Sequence, residues 1–336
     1  MPEKTEGRSV PALRLNERYE IIRANRFVNA LFPLVMFLLI IVIFAPLTGG
    51  QFLSRNAIIS ILNQALIVGT VATGVAFIYT TGNLDISVGP IMAFAAIIGA
   101  TVYNNTLSVP LMVASCIVVA VLLMLFNCTL SAIFNIKTIT AAIVMTRIYG
   151  AINSKILGAS TLRVDYTICR ELDNGGFRYA AFFAFFIISF LVYHKTKIGR
   201  ADRIIGGNRS NAVQTGLSPN RFLYASFLMA GIGVGLAAVF TITRSGTINQ
   251  DTGTGMGTDV MLATVLGGMS IFGGAKSNSY SGIIGALTVT ALNKGLLMVG
   301  VSTTVIQGIR GVIFILLVFL NSNSGREKIL PSRQQF

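Results

Sequence analysis

Two carboxylates, Asp85 and Asp259, stand closer than the other acidic groups to the middle of long apolar runs. A charge held in such a run costs roughly 2.5–3.5 kcal/mol on membrane-insertion scales, so a retained one is expected to be paired, placed at an interface or put to use. Asp85 follows Gly82-Asn83 at an expected helix break. Its side chain either caps the next helix around Ser87 or faces a polar path through the molecule. Asp259, just after the glycines at 253 to 257, reads equally as an N-terminal cap of the next helix, and the sequence leaves open whether it faces the path instead. Arg147, Lys294 and Arg310 also lie in or beside apolar runs, and the sequence leaves open whether one of them pairs with Asp85 or Asp259.

Other chemistry is thinly provided. Cys116 and Cys128 fall in apolar segments and Cys169 in a polar loop, with no CxxC spacing, so neither a metal site nor a disulfide framework is expected. His194, the single histidine, adjoins Lys195 at the edge of an apolar run and reads as interfacial. A phosphate-cradling Walker A loop needs Gly, four residues and then Gly-Lys-Ser/Thr. Gly274-Ala275-Lys276-Ser277 lacks the glycine before the lysine. No nucleophilic triad converges either, so neither an enzyme nor a cofactor is expected.

The elements that must position these residues follow from composition. Of 336 residues, 53% are hydrophobic and 11% charged, too few charges to coat a water-soluble surface. Apolar runs approach the ~20 residues that cross a ~30 Å hydrocarbon layer. The sequence therefore predicts an all-α polytopic membrane bundle of about ten transmembrane helices, near 28–46, 57–80, 86–103, 107–127, 138–157, 177–194, 221–243, 258–272, 280–300 and 303–321. The first run follows Arg23 and Arg26 and lacks a small-residue cleavage site, so it reads as an uncleaved span. With the N-terminus cytoplasmic, most of the 26 Lys and Arg fall on the inner side, which places both termini in the cytoplasm and accounts for the net charge of +14 without nucleic acid. The expected division is a cytoplasmic segment 1–27, a transmembrane body 28–321 and a cytoplasmic tail 322–336. Small residues such as Gly231-Ile-Gly233-Val-Gly235 and Gly282 to Gly285 let helices approach closely where lipid gives apolar side chains no reason to associate.

The longest interior polar stretch, 195–221, is expected on the cytoplasmic side. Turn signals at Gly206-Gly207-Asn208 and Ser218-Pro219-Asn220 bound a short helix over Asn211 to Gly216. Such a projecting helix suits docking into a groove on a soluble partner, with a solvated basic loop as the alternative.

Three blocks carry a resemblance. The first is Thr81-Gly82-Asn83-Leu84-Asp85-Ile86-Ser87-Val88-Gly89; the second is Ile198-Gly199-Arg200, Ile205-Gly206-Gly207-Asn208, Ala212 and Gly216-Leu217; the third is Leu266-Gly267-Gly268-Met269-Ser270-Ile271-Phe272-Gly273-Gly274. In this order, over roughly residues 55–320, they resemble the permease subunits of bacterial ABC importers for ribose and related monosaccharides, a family that includes autoinducer-2 and galactofuranose permeases. Asn83 departs from that family's second glycine, and Lys276-Ser277-Asn278 from a Gly-rich turn.

The resemblance implies a translocation subunit in the bacterial inner membrane, in contact with lipid. Its implied partners are a second permease, identical or not, two cytoplasmic ATP-binding subunits and a periplasmic or lipid-anchored sugar-binding protein. It implies ATPase coupling through Gly199, Arg200, Arg203, Gly206, Gly207, Asn208, Ala212 and Gly216. It also implies a translocation or structural role for Asn83, Asp85, Ser87, Gly267, Gly268, Ser270, Gly273 and Gly274. The rival expectation is a self-contained carrier driven by protons or sodium through Asp85.

Overall fold

Serine and proline punctuate the apolar runs and start the helices where the sequence needs them. Ser54 accepts the Ala57 N–H at the head of α2 (Arg55–Thr80), and Pro219 opens α10 (Pro219–Ser245), where a missing N–H costs nothing. The computed structural model describes residues 26–174, 176–270, 273–275 and 277–322. The expected terminal segments, but for their innermost residues, lie outside these, as does Lys276.

Among the described residues there are thirteen α-helices. Besides α2 and α10 they are α1 (Arg26–Leu47), α3 (Val88–Thr106), α4 (Val109–Ile133), α5 (Thr138–Leu157), α6 (Tyr166–Asn174), α7 (Phe177–Lys195), α8 (Lys197–Gly207), α9 (Arg209–Gln214), α11 (Met256–Leu266), α12 (Ser281–Met298) and α13 (Thr303–Ser322). A two-residue antiparallel ladder, β1 (Leu162–Arg163) with β2 (Thr247–Ile248), ties the turn after α5 to the turn after α10. Among the described residues six helices, α2, α3, α4, α7, α10 and α12, are long and apolar enough to cross a membrane, and the chain is an all-α membrane bundle.

The core is built on α2 and α10. Of the most apolar window of α2, 83% is buried, against 22% for α4, so α4 is peripheral although its hydropathy is higher. The outer face of α4 carries Leu111, Val118, Leu122 and Phe126, all exposed, a surface that only an apolar surrounding tolerates. Glycine sets the helix spacing: a Cβ on Gly235 or Gly231 of α10 would lie 2.5 or 2.6 Å from the Cα of Ile117 or Val121 on α4. On the other flank, a Cβ on Gly282 of α12 would meet Ala72 of α2 at 2.7 Å.

Three expectations are corrected. The segment expected as a helix over 258–272 stops at Leu266, because the chain turns at Gly267-Gly268, with Gly268 at φ +88°. The stretch 195–221 holds two helices rather than one. The first, α8, presents Ala201, Asp202 and Ile205 to the protein at helical spacing, and Asn208 ends it and caps α9 by accepting the Asn211 N–H. Asp259 does not cap α11: Gly255 occupies that position, and the Asp259 carboxylate pairs with Arg310 instead.

Candidate functional site

The chain breaks twice beside the core, once between α2 and α3 and once between α11 and α12, and the two breaks touch. The Thr80 carbonyl at the end of α2 accepts the Gly274 N–H at 2.9 Å. A Cβ on Gly273 would stand 2.5 Å from both that carbonyl oxygen and the Gly82 nitrogen, and Gly273 sits at φ +73°, so glycine is required twice over. Behind the first break, Gly89 faces the Gly253 carbonyl and Gly257 faces the Ile86 carbonyl, each too close for a Cβ. The stretch 81–89 is thus held between the head of α11 and the turn that follows α11.

Within the first break, Asp85 forms an Asx-type turn. Its Oδ1 accepts the Ser87 N–H at 2.7 Å and the Ser87 hydroxyl at 2.6 Å. Asn127 of α4 donates to Ser87 Oγ at 2.7 Å and more distantly to Asp85 Oδ2 at 3.5 Å, while Tyr149 of α5 donates to Asn127 Oδ1. The Tyr79 hydroxyl donates to the Asp85 backbone carbonyl. Asp85 is 1% exposed, and among the described residues no salt bridge reaches it. This is the arrangement of a satisfied turn. Asn83 accepts from the Thr138 hydroxyl and lines a polar cleft of about 250 Å³ with Ser131, Asn135, Lys137, Arg209 and Asn220.

In the second break, Gly267 leaves room for the Ser281 carbonyl at the head of α12, and the Ser270 carbonyl accepts the Gly273 N–H. Gly268 supplies the left-handed turn between them.

The second sequence block joins this junction. Gly206 of α8 lies against it so closely that a Cβ would be 1.9 Å from the Thr80 carbonyl oxygen and 2.7 Å from the Gly274 nitrogen. Three stretches far apart in sequence therefore meet at one carbonyl. Gly199 packs on the Tyr193 carbonyl, and Arg203 donates to the carbonyls of Gly199 and Tyr193 while its guanidinium lies 5.0 Å from the centre of the Tyr193 ring. Ala212 is buried against Ala201 and Ile205, which holds α9 onto α8. Gly216 ends α9 at φ +81°; Arg200, Gly207, Asn208 and Gly216 are exposed. The sequence-predicted residues thus divide into an inner face at the junction and an outer, accessible face.

Asp202 is a buried carboxyl on α8. Its Oδ2 accepts the Ser226 hydroxyl of α10, while Oδ1 has no partner among the described residues. Burial pushes its pKa up to about 8, against the lowering effects of the Ser226 bond and the Arg203 charge.

Sequence reasoning missed Tyr193, Thr80, Ser277, Asn127 and Tyr149. Asn127 was detectable as an amide inside the long apolar run of α4. Tyr193 was not, because an aromatic residue at the end of a span reads as an interfacial anchor.

Two helix breaks packed against each other beside the core of a membrane bundle are compatible with a transport protein, many of which place irregular backbone along their paths. The profile of a family described as branched-chain amino acid transport system / permease component matches residues 57–318, and the chain belongs to that family. Its relatives in that family carry the names of ABC-importer permeases, several of them for sugars. It is similar to the probable ABC transporter permease protein YphD of Escherichia coli strain K12, at 26% identity over 88% of this chain and 90% of the relative. It is similar also to the ribose import permease protein RbsC of Bacillus subtilis strain 168, at 28% identity over 84% of this chain and 90% of the relative. The ribose import permease protein RbsC of Escherichia coli strain K12 matches at 24% identity over 85% and 91%. No solved structure matches significantly. Subunits of this class are not enzymes; they work with ATP-binding and substrate-binding partners.

Proposed function

We propose that this chain forms the translocation path for a monosaccharide in a bacterial inner membrane, and that a separate ATPase moves it through the α8–α9 module. In this reading the bundle has ten spans with both termini cytoplasmic, so α8 and α9 face the cytoplasm. A second permease, alike or different, completes the path; two ATP-binding subunits dock below, and a periplasmic or lipid-anchored binding protein delivers the sugar. The names of the relatives, which include ribose, L-arabinose, fructose and galactofuranose permeases, support a pentose or hexose as cargo.

The observation that carries the reading is the approach of Gly206 to the Thr80 carbonyl and Gly274. A module that presents exposed residues outward and touches both helix breaks inward has the geometry of a lever. The ion-coupled rival needs a carboxylate free to exchange its ion, and Asp85 is enclosed at 1% exposure by Ser87 and Asn127.

The test is gentle purification of the tagged chain from its native membrane. An ATPase bearing a Walker A loop is expected to accompany it, and Arg200→Glu on the exposed face is expected to remove that ATPase while leaving the chain in the membrane. Sugar accumulation by the chain alone, under an ion gradient and without nucleotide, would refute the reading.

A further inference from the structure

The contact at Gly206 can push, but a van der Waals contact cannot pull. A module that drives the path in both directions needs bonds that resist separation as well as approach. The hydrogen bond from Gly274 to Thr80 joins the two breaks to each other and does not itself reach the module.

The tie runs through Tyr193. This residue sits two residues before the end of α7 and is fully buried. Its hydroxyl donates to the Ser277 carbonyl in the second break at 2.8 Å and lies 2.9 Å from the Thr80 hydroxyl at the end of α2. Two hydroxyl protons serve three contacts, Tyr193 to Ser277, Thr80 to the Ala76 carbonyl, and Thr80 with Tyr193, so one of the two hydroxyls shares its proton. On the opposite side, the same residue is gripped by α8. Its backbone carbonyl accepts from Arg203 and packs on Gly199, and its ring lies beside the Arg203 guanidinium. The edge of the ring is held by Phe77 of α2, centroids 5.4 Å apart, which fixes where the hydroxyl points.

We infer that Tyr193 is the positioning residue that couples α8 to the two helix breaks, its hydroxyl carrying displacement of the module to Thr80 and to Ser277. The inference rests on the proposed role of α8 and α9 as the coupling segment. It assigns separate routes: the first break is driven through Thr80, the second through Ser277. Phenylalanine at 193 keeps the ring, the Phe77 contact and the backbone bonds to Arg203, and removes the hydroxyl alone.

The experiment uses the complex with its co-purified ATP-binding subunits and a maleimide as probe. Single reporter cysteines are placed at Val213 on the exposed face of α9, at Asn83 in the first break and at Ala275 in the second. Cys116, Cys128 and Cys169 are all buried, and the chain without a reporter supplies their background. Labelling rates are compared with and without ATP plus orthovanadate. In the otherwise unaltered chain, nucleotide is expected to change the rate at all three positions. Tyr193→Phe is expected to keep the response at Val213 and lose it at Asn83 and Ala275, with resting rates unchanged, which a loss of structure would not leave intact. Thr80→Val is expected to lose the response at Asn83 and keep it at Ala275, and Thr80→Ser to keep both. Full nucleotide responses in both breaks of Tyr193→Phe would overturn the inference while sparing the coupling reading. Absence of any response at Val213 in the unaltered chain would overturn the coupling reading itself, and this inference with it. Should Tyr193→Phe fail to assemble, the contrast between Thr80→Val and Thr80→Ser decides, and equal behaviour of the two overturns the assignment.

Discussion

Arg310 reaches from α13 to the carboxylate of Asp259 on α11, with its Nη1 2.9 Å from Oδ1, and Asn293 of α12 closes the triangle. Asn293 accepts from Arg310 Nε at 2.8 Å and offers its amide N–H to both Asp259 oxygens at 3.4 and 3.5 Å. Three helices are therefore fixed to one another by one ion pair and one amide, with both charged side chains largely buried. Removing one partner of such a pair leaves an uncompensated charge and costs about 3–5 kcal/mol, whereas replacing both by apolar groups is far milder. Arg310→Met is expected to lower stability by that order, and Asp259→Leu combined with Arg310→Met to recover most of it. Denaturant unfolding of the detergent-purified chain measures both, and a single variant as stable as the unaltered chain would contradict the structural role.

The carboxylate pairing illustrates what was legible in the sequence. That Asp259 and Arg310 needed partners followed from their setting in apolar runs; which partner each takes depended on how α11 and α13 lie against each other, and no spacing along the chain encodes that. The long apolar helices were readable because hydropathy over about twenty residues is a strong local signal. The α8 helix was not, because its buried face consists of glycine, alanine, one isoleucine and the buried Asp202, and the charges around them read as a solvated loop. The end of α11 was overrun because Met269 and Ile271 prolong the apolar composition past the Gly267-Gly268 turn. The convergence of all three sequence blocks on the Thr80 carbonyl was invisible, since backbone contacts leave no trace in residue type beyond the glycines they demand.

Asp202 makes the seating of α8 dependent on pH. Its folded-state pKa of about 8 lies above the ordinary carboxylate value of 3.8, so the folded chain holds a proton that the unfolded chain has released. The stabilisation is fully present below about pH 4 and is lost as pH rises toward 8, with a slope of at most about 1.4 kcal/mol per pH unit. Thermal unfolding at a series of pH values from 5 to 8 is expected to show a midpoint that falls with pH, and Asp202→Asn is expected to flatten that dependence. The same slope in both proteins would show that the carboxyl of Asp202 is not its source.

Asn127 braces the first break from α4. Its amide donates to Ser87 and Asp85 and its carbonyl accepts from Tyr149, so Asn127→Leu leaves buried polar groups without partners. Each such group costs about 1–3 kcal/mol. The variant is expected to unfold at lower denaturant concentration by at least that much, and hydrogen exchange is expected to quicken around Ser87. Unchanged exchange there would mean that the turn at Asp85 stands without its amide.

Energy source separates the two transport readings without any substitution. Vesicles holding the assembled complex and supplied with ATP inside are expected to keep accumulating sugar after ionophores collapse the proton and sodium gradients, because a satisfied Asp85 turn has no ion to exchange. Uptake that stops with the gradients and continues without ATP would instead make Asp85 the driving group.

Gly206 is where the steric argument is sharpest. Alanine there would put its methyl carbon 1.9 Å from the Thr80 carbonyl oxygen, a backbone atom that cannot rotate away, so either α8 retreats or the first break is displaced. Overpacking of this kind costs about 1–3 kcal/mol, which the rest of a membrane bundle this size tolerates, so the chain is expected to fold and insert. Retreat of α8 would open the contacts at Thr80 and Gly274 together, and sugar uptake by the complex is expected to fall sharply while its membrane level holds. Gly150→Ala on α5, where an added methyl meets nothing within 4 Å, is the matched control and is expected to leave uptake unchanged. Normal uptake by Gly206→Ala would mean that the contact between α8 and the Thr80 carbonyl plays no part in moving the path.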